Sequence, residues 1–158
     1  MRDPIQLSGA FDSLEAMMQA GADAAVRLAA EDHGMTLDYS PESVARLETV
    51  LAARTPVPDS ELESATRLWG AYFGEVFRRR YSGEWIMAVY PRQPGAEQLG
   101  PDADVAMPAL DIAGSHIYPL LKVSRRLTLG PSEDLASFYA KVSAALDARQ
   151  GRESNRAG

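Results

Sequence analysis

The apolar positions of this chain recur in blocks whose spacing changes from helical to alternating and back. Between Ser13 and His33, Leu14, Met17, Met18, Ala25 and Leu28 share one helical face; Asp12 and Glu15 stand at capping-box spacing, and Gly34 marks the stop. Val44, Leu47, Val50 and Leu51 predict a second helix, capped by Ser40, with Pro41 at its first position, where a missing N–H costs nothing. The run "TPVPD" ends it, since two prolines cannot continue a helix. Ser60 and Glu63 form another capping box and open a third helix. On that helix Leu62, Ala65, Trp69, Tyr72, Phe73, Val76 and Phe77 fall on one face, with Thr66 able to bond back to a carbonyl of its own helix.

Alternation takes over at "EWIMAVYP". Trp85, Met87 and Val89 alternate with Ile86, Ala88 and Tyr90, so both faces are apolar and the strand is expected to be covered on both sides. A Pro/Gly-rich loop from Pro91 to Ala103 follows and is expected to be mobile. "DVAMPALDIAGSHIYP" predicts two short strands turning at Ala113-Gly114-Ser115, with Pro108 at an edge or a bulge. Pro119 starts a short helix with Leu120, Val123 and Leu127 inward. Ser132 is expected to cap a last helix whose stripe is Leu135, Tyr139, Val142 and Leu146, with Phe138 alongside. The order predicts an α+β fold, a small antiparallel sheet of about three strands packed against about five helices. A doubly wound parallel fold is disfavoured because regular βαβ alternation is missing. The expected organisation is an N-terminal arm over 1–11, one domain over 12–148 and a flexible tail over 149–158.

Two glycines, Gly70 and Gly74, lie one turn apart on a flank of the third helix, each at a cost of about 1 kcal/mol relative to alanine. That cost is tolerated where another backbone approaches closely, and the last helix is the expected neighbour. Glu75 falls on the opposite flank with Arg79 four residues on, the favourable order for a surface ion pair. The runs Arg78-Arg79-Arg80 and Arg125-Arg126 are expected to be solvated helix ends complementing the macrodipole.

Composition narrows the chemistry. A hydrophobic fraction of 46% and a charged fraction of 24% are those of an ordinary globular domain. With no cysteine, thiolate metal sites, disulfides and cysteine nucleophiles are excluded, and a reducing, cytoplasmic location is expected. No apolar leader or membrane-length segment stands out, so no membrane partner is expected. The net charge of −6 argues against nucleic acid. His33 and His116 are far apart in the chain, and Ser115 beside His116 points to the opposite face of a strand, so neither a metal site nor a serine triad is expected. No phosphate loop, dinucleotide fingerprint or nucleophile elbow is present. No cofactor and no catalytic residue are therefore assigned.

The residues "GAYFGEVFRRR", a tryptophan strand and "YPLLKVSRRLTLGPSEDLASFY" resemble a group of small uncharacterised bacterial domains, a domain of unknown function. That group has a Gly-x-Tyr-x-Gly-Glu helix, a Trp strand and a Pro-x-x-Lys helix start. The matching positions are Gly70, Tyr72, Gly74, Glu75, Trp85, Pro119 and Lys122, within a similarity running roughly from Leu37 to Leu146. The resemblance implies an α+β fold and no established activity, and it makes Glu75 and Lys122 a candidate long-range pair.

Three readings follow. The first is a non-catalytic interaction module, accessory or immunity-type, binding a basic protein through an acidic surface that includes Glu31, Asp32, Glu61, Glu63, Glu133 and Asp134. The second is a small-ligand binder with a pocket near Trp69, Tyr72, Trp85 and Tyr118, reached by Arg79 or Lys122. The third is a carboxylate-dependent enzyme around Glu75. The candidate binding residues are Glu75, Arg79, Trp85, Tyr118 and Lys122.

Overall fold

The structure, a computed structural model, describes residues 13–89 and 106–157, with side chains described through Gly151. The arm expected over 1–11 and the loop from Pro91 to Ala103 lie outside the described residues. Helices α1 (Leu14–His33), α2 (Ser43–Arg54) and α3 (Asp59–Tyr81) precede strands β1 (Glu84–Val89), β2 (Ala106–Ile112) and β3 (Ser115–Ile117); α4 (Pro119–Leu129) and α5 (Leu135–Ala157) close the chain. The strands form an antiparallel sheet in the order β1-β2-β3, so the fold is α+β with a small sheet, as expected.

Helix ends depart from the sequence reading wherever a better cap lies one or two residues away. Ser13, not Asp12, caps α1: its hydroxyl accepts from the Ala16 N–H. Gly34 ends that helix in the left-handed conformation, φ 62°, where only glycine avoids a Cβ penalty. Ser40 does accept from the Ser43 N–H, but Pro41 lies in a turn and α2 begins at Ser43. The Ser60/Glu63 box does not form, because α3 starts at Asp59, directly after Pro58, and Ser60 is already inside its first turn. Ser132 belongs to a 3-10 turn, Pro131–Glu133; the Asp134 carboxylate accepts from the Ala136 and Ser137 N–H groups and starts α5. The segment expected as a tail is helical to Ala157. Arg149 ties it to the sheet turn, donating to the Ala113 carbonyl and the Ser115 hydroxyl.

α3 is the axis of the core. Its expected face is half-buried at Leu62 and Ala65, and from Trp69 to Phe77 every residue is buried, including those off the stripe. Other elements therefore wrap it on more than one side. α1 crosses where Gly21 meets Ala71. α5 adds Phe138 and Tyr139 to Phe73 and Phe77, with ring centroids 4.9–6.4 Å apart. The glycine flank does not face α5. A Cβ at Gly70 would stand 2.8 Å from Leu120 Cγ, and one at Gly74 would stand 2.2 Å from Trp85 Cη2 and 3.2 Å from Pro119 Cγ. The glycines admit the start of α4 and the indole of β1.

β1 is an edge of the sheet among the described residues. Trp85 is buried, but Met87 and Val89 on the same face are 44% and 55% exposed, so the expected cover on both faces does not extend along the strand. Pro108 sits in the central strand, paired with Met87. β3 pairs only Leu110–Ile112, so at Pro108 the β3 side of β2 is locally an edge among the described residues, which is how a central strand takes a residue without an N–H.

Candidate functional site

The five candidate binding residues divide between two places. Glu75, Arg79 and Trp85 meet where α3, β1 and the α1–α2 connection converge. Tyr118 and Lys122 line an open groove between β3, α4 and α5.

Glu75 is not on the surface; its side chain is fully buried. Arg78, three residues on, is its main partner: Arg78 Nε donates to Oε2 at 2.5 Å and Nη2 to Oε1 at 2.8 Å. Arg79, the expected partner, reaches Oε1 only at 3.4 Å. Trp85 Nε1 donates to Oε2 at 2.9 Å across the helix–strand junction. Burial pushes the Glu75 carboxyl up, but the hydrogen bonds from Arg78 and Trp85 and the charges of Arg78 and Arg79 outweigh it and hold the group below its ordinary value. A carboxylate that is ionised, enclosed and bonded through both oxygens is poorly placed to give or take a proton near neutrality.

The rest of the junction is equally committed. The Arg79 guanidinium lies 3.5 Å from the Tyr39 ring centroid, and Tyr39 stacks on Tyr72 at 4.9 Å. Tyr39 takes a positive φ of 65°, letting its N–H reach the Tyr72 hydroxyl at 2.9 Å. Ser43 spends its proton on the Ser40 carbonyl, so Tyr72 donates to Ser43 Oγ at 2.6 Å. Burial pushes the Tyr39 phenol up to about 12, the Arg79 charge opposing and Asp23 adding. The arginine run leaves Arg79 and Arg80 exposed in the last turn of the helix, as expected, but Arg78 is half-buried and all three make contacts within the chain. Arg78 also pairs with Glu15 of α1, and Arg80 pairs with Asp147 and donates to the Tyr139 hydroxyl of α5.

The Glu75–Lys122 pair does not form. Lys122 Nζ instead donates to Glu133 Oε2 at 2.5 Å and stands 5.3 Å from the Phe138 ring centroid. The hydrogen bond from Lys122, with the charges of Lys122 and Arg125, holds the Glu133 carboxyl below its ordinary value against burial. The groove beside them encloses about 270 Å³. His116, Ile117 and Tyr118 form one wall, Leu121, Lys122 and Arg125 of α4 a second, and Phe138 and Val142 of α5 the third. Tyr118 donates to the Val89 carbonyl at 3.5 Å.

A second groove, about 290 Å³, lies over Trp69, and Tyr72, Trp85 and Tyr118 do not line it; of the four aromatics expected around one pocket, Trp69 and Tyr118 border different grooves. Val57, Leu68 and Leu127 line it with Trp69, and Glu61 and Arg54 stand among its polar residues. Arg54 lies 5.1 Å from the Trp69 centroid and donates to His33 Nε2 and Asp32, so the end of α1 receives its cation from α2. The Thr66 hydroxyl is buried without a hydrogen-bond partner, contrary to the expected back-bond. Among the described residues no group of three or more histidines and carboxylates could hold a metal ion, and no helix is long and apolar enough to cross a membrane.

Sequence reasoning passed over Arg78, Tyr39, Arg125 and Phe138. Arg78 was visible at i+3 from Glu75, as good a spacing as i+4; Tyr39 and Phe138 reach their places only through tertiary packing. Arg126, expected at a solvated helix end, is instead buried: its Nε donates to both oxygens of Glu48 at 2.9 Å while Glu48 accepts the Leu135 N–H. That clasp joins α2, α4 and α5 across 78 residues of chain and leaves no local signal.

Comparison with protein-family models, curated proteins and solved structures finds no match to this chain.

Proposed function

We propose that this is a non-catalytic interaction module of the cytoplasm that binds a basic protein partner through the acidic start of α3. One observation carries the reading: the groove over Trp69 has an apolar floor of Val57, Leu68 and Leu127, with Glu61 at its rim, while Asp59 and Glu63 stand exposed on the same first turns. Apolar floor and charged rim is the ordinary anatomy of a protein-binding patch. The clustered cations are paired within the chain, although Arg79 and Arg80 stay exposed: Arg78, Arg79 and Arg80 pair with Glu75, Glu15 and Asp147, and Arg126 with Glu48. Such pairs consume both signs equally, so the surplus behind the −6 charge stays with other acidic groups. Of the six acids expected to form the surface, Asp32, Glu133 and Asp134 have internal partners, and the α3 start is the better candidate for contact.

The third reading, an enzyme built on Glu75, loses its support, because the carboxylate is enclosed and already bonded. The experiment is affinity capture from native extract with two baits, the wild type and Asp59→Lys/Glu61→Lys/Glu63→Lys. The expected result is a basic protein held by the wild type at low salt, released at high salt and missing from the variant. Equal capture by both baits, or retention of nucleic acid, would refute the proposal.

A further inference from the structure

The groove of Lys122 is separate from the acidic start of α3 and has the opposite electrostatics. The chain as a whole is acidic, yet the groove's charged lining consists of Lys122 and Arg125. Its floor is apolar, from Leu121, Phe138 and Val142. Of the two cations, Lys122 is held in place by Glu133 and by the Phe138 ring. Arg125 is exposed and its guanidinium makes no hydrogen bond among the described residues, although its charge acts on Glu133. An ammonium has three donors, and Glu133 occupies one of them.

One of these cations, Lys122, already binds a carboxylate supplied by its own chain. Glu133 lies on Lys122, and both Lys122 and Arg125 favour its ionised form. We infer that the groove is a binding site for a small apolar monocarboxylate. The ligand's carboxylate is held between Lys122 and Arg125, beside or in place of that of Glu133. Its hydrocarbon body covers Leu121, Phe138 and Val142. The volume, about 270 Å³, is just below the usual range for ligand pockets and suits only a small body, a medium-length acyl chain or one aromatic ring. Glu133 is then an internal competitor, and the two substitutions that alter the cations' availability act in opposite directions.

The test titrates the purified full chain with octanoate, and with octanamide and inorganic phosphate as probes lacking one half of the chemistry. Binding is followed by calorimetry and by backbone amide shifts. Octanoate is expected to bind and to shift Leu121, Phe138 and Val142, with octanamide and phosphate each at least about tenfold weaker. Arg125→Gln weakens octanoate about tenfold, equivalent to about 1.4 kcal/mol for one lost charge-assisted contact. Glu133→Gln tightens it several-fold by releasing Lys122. Equal affinity for octanoate and octanamide, equal affinity for phosphate, shifts elsewhere on the molecule, or weaker binding in folded Glu133→Gln would each overturn the assignment. Both variants change exposed or half-buried side chains, and a retained melting curve separates loss of binding from loss of fold. A failure here leaves the acidic surface of α3 untouched, since none of these probes is a protein.

Discussion

Glu75 on α3 and Lys122 on α4 look alike in the sequence, each a charged residue on an amphipathic helix, yet they end in opposite surroundings. Glu75 is fully enclosed, and four N–H donors from its own chain fill both carboxylate oxygens. Lys122 is held by one partner and borders a groove of about 270 Å³. Closure turns a charge into a strut; an adjoining open volume leaves a charge able to meet something else. Gly70, Tyr72, Gly74 and Glu75 all serve the closed side. The glycines admit Leu120, Pro119 and the Trp85 ring, Tyr72 anchors the α1–α2 connection, and Glu75 fastens the indole that Gly74 makes room for.

Removing the strut should have the largest effect. Glu75→Ala strands the Arg78 guanidinium and the Trp85 N–H and is expected to cost about 3 kcal/mol, measured by urea unfolding. A loss below about 1 kcal/mol would mean that water replaces the carboxylate freely, and the contrast with Lys122 would collapse. The same group gives a pH signature. Its folded value is depressed, so its stabilisation is present above the unfolded value of about 4.3 and disappears as pH falls through the lower folded one. Wild type should therefore lose more stability than Glu75→Gln over that acidic window, and equal losses would contradict the node.

Gly74→Ala comes next. The new methyl meets the ring of Trp85 at 2.2 Å, and the indole is fixed by its bond to Glu75. Overpacking of about 1–3 kcal/mol should exceed the roughly 1 kcal/mol gained in helix propensity. Gly151→Ala on α5 meets nothing within 4 Å and should be neutral or slightly stabilising. A stabilising Gly74→Ala in thermal melts would show that the junction is looser than its geometry.

Tyr39 gives a smaller, alkaline signature. Its phenol is pushed up to about 12, so the stability it contributes is complete below the unfolded value of about 10 and is lost as pH rises toward 12. Burial raises the Tyr72 and Tyr81 phenols as well, so ultraviolet titration should show a late-ionising group of tyrosines, and Tyr39→Phe should reduce its amplitude by one tyrosine. The smallest effect belongs to the open side. Lys122→Gln breaks a single ion pair at the groove and should change unfolding by no more than about 1 kcal/mol. A loss comparable to that of Glu75→Ala would make Lys122 a strut as well.

Local periodicity carried the fold a long way. The stripes of α2 and α4, the core face of α3 and the Ala113-Gly114 turn are all where the spacing put them. Caps were read less well, because neighbouring residues compete for the same N–H groups and the winner depends on where the chain enters; Ser13 displaced Asp12, and Asp134 displaced Ser132. The fate of Glu75 was not legible. A helical projection places a side chain relative to its own helix, and α3 is wrapped beyond its apolar stripe. Nor was the partner of Lys122, because Glu133 comes near it only after the turn following α4.

The most direct test of the closed node is the side-chain carboxyl carbon-13 shift of Glu75 followed against pH. It is predicted to stay at the ionised position while the exposed glutamates protonate, moving only below their range. Titration together with them, or above them, would show a carboxyl that water reaches or that the arginines fail to hold, and Glu75 would return as a candidate acid.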